Sequence, residues 1–344
     1  MGYELRTQTI EPIRNTFRHL IDRFGDKPAS RYQEATYALQ PSENFHYRPT
    51  WDPEHELFDP NYSVLKLTDP YDYSDPRQYY YNTYVSARAD HYEGFAKDLK
   101  YIEDRDLLAA LPDGWKQLVE TTVLPLRHYE GGAQMISSNG CRFAWGATVS
   151  QPMGYAGLDR LGNAQLHSMI GLAMAGGHSD KLVAAKQHWM ESPRLQPLRE
   201  LVEQALIERD YAVSLLVVDL VDAQLFPLLF RHCDARALRD GAMAYSLLAQ
   251  HFLQWYANQR KWLSALLRAW AADPEHGESN RVALSDIVDR WYPRAHAAVR
   301  AVAEGIDADL GRADAVEAAD TYAAELEATF DELGLTLDRN GVRA

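Results

Sequence analysis

Three of the twelve histidines in this chain stand three residues after an acid: His46 after Glu43, His55 after Asp52 and His276 after Asp273. On a helix, that spacing lays a carboxylate and an imidazole on one face. Two such pairs on facing helices, with one more Glu from each of two others, form the ligand set of a carboxylate-bridged di-iron centre. Here each pair falls in a proline-bearing loop. The helical histidines have the wrong neighbour three residues back: Thr16 before His19, Arg88 before His91, Pro125 before His128, Ala164 before His167, Ala185 before His188, Leu229 before His232, Leu248 before His251 and Pro293 before His296. His178 follows Ala175 in a loop. The chain lacks the di-iron ligand set, and no catalytic, metal-ligating or cofactor-binding residue is expected in it.

Other chemistries leave no trace either. There is no phosphate-cradling Gly-x-x-x-x-Gly-Lys-Ser/Thr loop, no Gly-x-Gly-x-x-Gly after a strand and no Gly-x-Ser-x-Gly elbow. Asp219 and Asp222 lie three apart on an apolar helix, which suits either a pair of working carboxylates or two acids that each bind an Arg from a neighbour. The stretch "ENFHYRPTWDPEHELFDP", Glu43 to Pro60, concentrates acids, histidines and prolines, and could in principle gather a metal. Nothing in its spacing requires one. Its prolines and rings suit an extended arm anchored by Phe45, Tyr47, Trp51 and Phe58, too many apolar rings to leave in water.

The elements around these residues are helices. Residues 75–344 read as one helix after another, with breaks near Pro112-Asp113-Gly114, Gly176–Ser179, Ser192-Pro193, Arg239–Gly241 and Asp273–Asn280. Asp75 and Pro76 look like the N-cap and first turn of the first long helix. Pro125, Pro227 and Pro293 fall inside helical patterns and should kink or break them. Before residue 75, a helix that stops at Gly25 leads into a stretch where prolines recur too closely for a helix, interleaved with rings. Loops of that length are uncommon and are ordered by lying on a surface. Half of the twenty glycines fall between Gly131 and Gly177, the composition of helices in close approach. No βαβ alternation is present, so the chain reads as all-α: an arm over 1–74 and a helical domain over 75–344.

Composition narrows the partners. With 35 Lys plus Arg against 49 Asp plus Glu, the net charge is −14, which repels nucleic acid and anionic membrane surfaces. Glu304 to Glu332 is the most acidic segment and reads as a solvated helix face. The run Tyr211–Phe230 is about as long as a membrane span, but Asp219, Asp222 and Gln224 within it favour a helix buried in a bundle. Cys141 and Cys233 form no paired framework, and no secretory leader is recognisable, so a cytoplasmic location is expected.

The segments "DKPASRYQEATY", "ENFHYRPTWDPEHELFDP" and "DPRQYYYNTY", with "PLRHYEGG", "LDRLGNAQ" and "LQPLRELVE" further on, resemble the β subunit of bacterial multicomponent phenol hydroxylases, relatives of the toluene and methane monooxygenase hydroxylases. The first eighty-odd residues carry most of the resemblance; "KLTDPYDYSDP" departs from the family pattern. The resemblance implies a ferritin-like helical bundle, with the di-iron centre only in a catalytic α subunit. It implies a dimer of αβγ units, served by a regulatory protein and by an NADH-dependent reductase that carries FAD and a 2Fe-2S cluster. Spacing puts Glu130 where a first ligand would stand, and Arg160 and Asn163 where Glu-x-x-His is expected. Two other readings stay open at this point. One is an oxygenase with its own metal site in the arm, which metal analysis would reveal; the other is a helical scaffold unrelated to oxygenation, which lacks an α partner.

Overall fold

The structure, a computed structural model, describes residues 17–50 and 52–337. Thirteen α-helices and no strand occur among these residues. In the N-terminal region lie α1 (Arg18–Phe24) and the single turn α2 (Arg31–Glu34). The body is built from α3 (Tyr81–Asp104), α4 (Asp113–Leu118), α5 (Leu126–Phe143), α6 (Ala147–Met174), α7 (Asp180–Glu191), α8 (Gln196–Ile207), α9 (Tyr211–Pro227), α10 (Cys233–Asp240), α11 (Met243–Ala271), α12 (Gly277–Leu310) and α13 (Ala315–Glu332).

Helix α9 runs through the middle, packed against α5, α8, α11, α12 and α13. Its apolar residues point in all directions, which suits a helix surrounded by others. The stretch Tyr211–Asp240 has the length and composition of a membrane span, yet 94% of its most apolar window is buried inside the molecule. Helices α5, α6, α11 and α9 contact one another in sequence around a ring, forming a ferritin-like four-helix core. The glycines between α5 and α6 let the two backbones meet: Gly140 faces Met153, Gly154 faces Cys141 and Gly157 faces Ser138.

The prolines act differently at each site. Before Pro125 the chain makes a π turn over Val119–Val123, with the Leu124 N–H donating to the Val119 carbonyl at 2.9 Å. A second π turn, Leu228–His232, follows Pro227. Such turns re-route the bonding that a proline interrupts. Pro293 lies within continuous α12, and Pro152 within α6. The first long helix starts at Tyr81, five residues later than the Asp75-Pro76 signal predicts. The Asp75 carboxylate is buried and committed to the Arg77 N–H (2.9 Å) and guanidinium, and Gln78 has φ 50°, which a helix cannot accommodate. The dipeptide marks a separate turn.

The N-terminal region lies against its own helical body. Gln40 Nε2 donates to the Ala144 carbonyl (2.9 Å) while its Oε1 accepts from Gly146 N–H (2.7 Å). Tyr62 stacks on Phe143 at 4.6 Å. Lys66 exchanges two hydrogen bonds with the Asn280 side chain, and Thr68 N–H and Oγ1 donate to Asp273 at 2.7 and 2.6 Å.

Candidate functional site

Each of the four core helices sends one large side chain to a common centre. Glu130 comes from α5, Arg160 from α6, Asp222 from α9 and Trp255 from α11, and all four are buried. The Arg160 guanidinium is the hub. Its Nη1 donates to Glu130 Oε2 (3.1 Å) and to Asp222 Oδ1 (3.3 Å), and its Nη2 to Asp222 Oδ2. The Trp255 ring covers it at 4.7 Å, a cation–π contact. Asn163, one turn along α6, donates to Glu130 Oε1 at 3.5 Å, and the Tyr129 hydroxyl donates to Asp222 Oδ1 at 2.6 Å. His167, a turn further, stacks on Phe252 at 4.5 Å; burial depresses its pKa to about 3, so it stays neutral.

The centre holds two carboxyls and one guanidinium. Burial pushes Glu130 up to about 7 against the pull of Arg160, and Asp222 rises for the same reason. Arg160 holds its proton through its two acidic neighbours although burial opposes the charge. All four carboxylate oxygens are engaged by Arg160, Asn163 or Tyr129. Asp219, three residues before Asp222, is paired with Arg260 of α11. Of the two uses that spacing left open for these acids, binding Arg is the one observed. A comparable lock joins α3 to α6, where Arg88 Nε and the Tyr84 hydroxyl both donate to Asp159, at 2.6 and 2.8 Å.

The three acid–histidine pairs do not converge. His55 Nδ1 lies 2.8 Å from Asp52 and the ring meets Tyr62 edge-on. His46 faces Glu56 at 3.6 Å instead of Glu43. Asp273 caps the arm at Thr68 and accepts from the His276 backbone N–H at 2.8 Å. Among the described residues, no group of three or more His, Cys, Asp or Glu is placed to hold a metal ion. Of the arm's four rings, Phe45 and Phe58 stack on each other at 5.7 Å and Tyr47 is 48% exposed. Trp51 lies outside the described residues.

Residues 51–274 match the family model described as methane/phenol/alkene hydroxylase. The chain belongs to this family. Relatives within it include the phenol 2-monooxygenase oxygenase component DmpL of Pseudomonas sp. (strain CF600), 38% identical over 88% of this chain and 91% of its own length. The hydroxylase component subunit beta of the toluene-4-monooxygenase system from Ectopseudomonas mendocina is 23% identical over 73% of this chain and 76% of its own. The crystal structure of xenon-pressurised phenol hydroxylase from Pseudomonas sp. OX1 superposes with a TM-score of 0.88 at 37% identity, covering 97% of this chain and 99% of that one. The protein is thus a component of a monooxygenase hydroxylase, an oxidoreductase complex.

For a hydroxylase-family chain, the buried centre is where a di-iron site has to be tested, and its residues do not fit one. A guanidinium is a fixed cation with five donors and no lone pair to offer. The amide of Asn163 offers a hydrogen-bond donor to Glu130 and no imidazole, and the two carboxyls are spent on Arg160. Sequence spacing located Glu130, Arg160 and Asn163 but did not join them to Asp222. The available signal was that Asp159 and Arg160 are the only acid and base in the 28 residues of α6, and such isolated charges need buried partners.

Proposed function

We propose that this chain is the metal-free, non-catalytic β subunit of a phenol-type di-iron monooxygenase hydroxylase, whose work is to hold the catalytic α subunit in its active shape. The observation that carries the reading is Arg160: its guanidinium occupies the centre of the four-helix core and neutralises the carboxyls there, Glu130 and Asp222. In this reading the di-iron centre belongs to α, which oxidises phenol-like substrates with O2. A small γ subunit completes a dimer of αβγ. FAD and a 2Fe-2S cluster in a reductase bring electrons from NADH, and a regulatory protein completes the system. The names of the relatives, one a phenol 2-monooxygenase oxygenase component and one a subunit beta, support this assignment. The complex works in the cytoplasm, away from nucleic acid and membranes, in keeping with the net charge of −14.

The arm is assigned to assembly, with Phe45, Tyr47, Trp51 and Phe58 as its anchors; Phe45 and Phe58 stack on each other. Iron analysis of the separated chains tests the main claim: the metal should follow α, and about two irons per β chain would overturn the reading. Phenol oxidation by the reconstituted complex should survive Glu130→Ala when preparations are compared at equal iron content. A hundredfold fall, about 2.7 kcal/mol of barrier, would place Glu130 in the chemistry. Deleting residues 1–60 tests the arm: helical circular dichroism should persist while co-purification with α is lost.

A further inference from the structure

Two buried nitrogens with no hydrogen-bond partner, Nε2 of His91 and the indole Nε1 of Trp255, belong to residues that line one cavity. Buried polar atoms are nearly always paired, so two orphans beside one space need a reason. The cavity, about 470 Å³, opens between α3 and α11 and has the size of a small-molecule site. Most of the charges around it are already matched. Arg88 donates to Asp159 at 2.6 and 2.7 Å and to Asn258 at 3.0 Å, and His251 Nε2 lies 2.7 Å from Asp98. Lys261 and Asp90 are exposed on its wall, and neither makes an ion pair with another described residue. Rings complete the lining. His91 meets His251 edge-on at 5.7 Å, and Tyr79 lies beneath the guanidiniums of Arg77 and Arg88, at 4.7 and 5.7 Å. Burial first, then the charges of Arg88 and His251, depress His91 to a pKa of about 4, so its ring is neutral.

We propose that the cavity between α3 and α11 binds a small aromatic carboxylate, with Lys261 as its charge partner. The donors around it set the class. Lys261 and the Trp255 indole can only donate. Asn258 spends its carbonyl oxygen on Arg88 and Arg77, which leaves its NH2 end to donate. Asp98 accepts from Gln250 at 3.1 Å as well as facing His251, so Asp90 is the one uncommitted acid on the wall. A carboxylate has two oxygens that accept from several donors at once, and a charged acceptor makes the stronger hydrogen bonds. A phenol brings one oxygen and a hydroxyl proton that itself needs an acceptor. The rings of Tyr79, His91 and Trp255 suit a flat apolar ring beside that carboxylate. Trp255 also covers Arg160 at 4.7 Å, so the floor of the cavity is one wall of the buried centre. The site is made by this chain alone, whatever the chain assembles with.

The test is calorimetric titration of the full chain with benzoate. One site should saturate with a Kd on the order of 1 mM or tighter, within reach of so small a ligand. Lys261→Gln should weaken binding at least about fivefold, the loss of a hydrogen bond to a charged group. Lys186→Gln, an exposed lysine of α7 outside the cavity, should leave it unchanged. Asp90→Asn should tighten it about twofold by removing a like charge. These side chains are exposed, so folding is not at stake. Acetate, which lacks the ring, and phenol, which lacks the carboxylate, should each bind at least about tenfold more weakly. Histidine NMR locates the ligand: the signal of His91, identified by its loss in His91→Gln, should titrate at higher pH with benzoate bound, because a nearby anion favours the imidazolium. No saturation with benzoate overturns the proposal. Acetate or phenol as tight as benzoate overturns the ligand class. Benzoate binding that ignores Lys261→Gln and leaves His91 unmoved places the ligand elsewhere and overturns the site.

Discussion

The centre of the bundle and the N-terminal arm contain similar raw material, acids beside nitrogen-bearing side chains and aromatic rings, and the fold uses them in opposite ways. At the centre, Glu130, Asp222, Asn163 and Tyr129 are spent on Arg160 or on one another, out of water. In the arm, the exposed Arg48 and His46 share Glu56, and Tyr47 is open to solvent. Residue type and spacing nominate both regions for chemistry, but only the identity and burial of the partners decide. A buried charge cluster is costly to disturb, whereas an exposed ion pair is worth little alone.

The largest expected effect breaks the centre. Arg160→Met leaves two buried carboxyls without their cation, and removing one partner of a buried pair costs about 3–5 kcal/mol. Urea unfolding of the free chain should show that loss. Adding Glu130→Gln and Asp222→Asn to the same variant should recover most of it, because the uncompensated charge is then gone. A single variant as stable as wild type would mean that water already reaches the cluster.

Gly146→Ala comes next, where the arm meets the start of α6. Gly146 has φ +89°, in the left-handed region, and a Cβ there would collide with Pro70 of the arm. Its N–H also donates to Gln40. Strain and overpacking together should cost about 1–3 kcal/mol in chemical denaturation. A change below about 0.5 kcal/mol would show that the arm is loosely seated.

The third prediction is a pH dependence. Glu130 titrates near 4.5 in the unfolded chain and near 7 in the folded one, because burial disfavours its charge. Between those values the folded state holds a proton that the unfolded state has released, so stability falls as pH rises through the window and levels off above about 7. The slope from this group approaches about 1.4 kcal/mol per pH unit at most. The rise of Asp222 acts in the same sense at the acidic end. Glu130→Gln, which mimics the protonated acid, should flatten the profile between pH 5 and 7. An unaltered profile would remove Glu130 as its source.

Much of this was legible in the sequence. Helix breaks at Asp113, Gly176–Ser179 and Gly241 follow from turn residues, because those residues fix local backbone geometry regardless of what packs nearby. The exclusion of Glu-x-x-His pairs from long helices also holds, since i, i+3 spacing is a local property. What spacing could not deliver was tertiary. The link from Arg160 to Asp222 spans 62 positions and depends on how α6 faces α9. The Asp75 signal misled because its carboxylate was taken by Arg77, a competition between two local partners that propensity does not rank. The Phe45–Phe58 stack likewise needs the chain to double back, with Leu57 N–H donating to the Tyr47 carbonyl at 3.1 Å.

The smallest effect on the free chain, and the sharpest contrast with the centre, is expected from Tyr47→Ala. Tyr47 is 48% exposed and its ring meets Arg142 only at 5.9 Å, so truncation removes little that is buried. Surface changes of this kind stay within about 0.5 kcal/mol. If the arm is an assembly element, the same substitution should weaken binding to the catalytic subunit by about 2 kcal/mol, roughly thirtyfold, as truncating a central aromatic anchor does. The two measurements have to be read together. A silent free chain with weakened assembly places the ring at the interface, whereas loss in both means that the ring supports the fold of the arm. No change in either would make Tyr47 a bystander and shift the arm's role to its remaining rings. Arg160 should give the inverse pattern, with a large loss in the free chain and an effect on assembly only through folding. The two substitutions therefore separate a residue that holds this chain together from one that holds it to another.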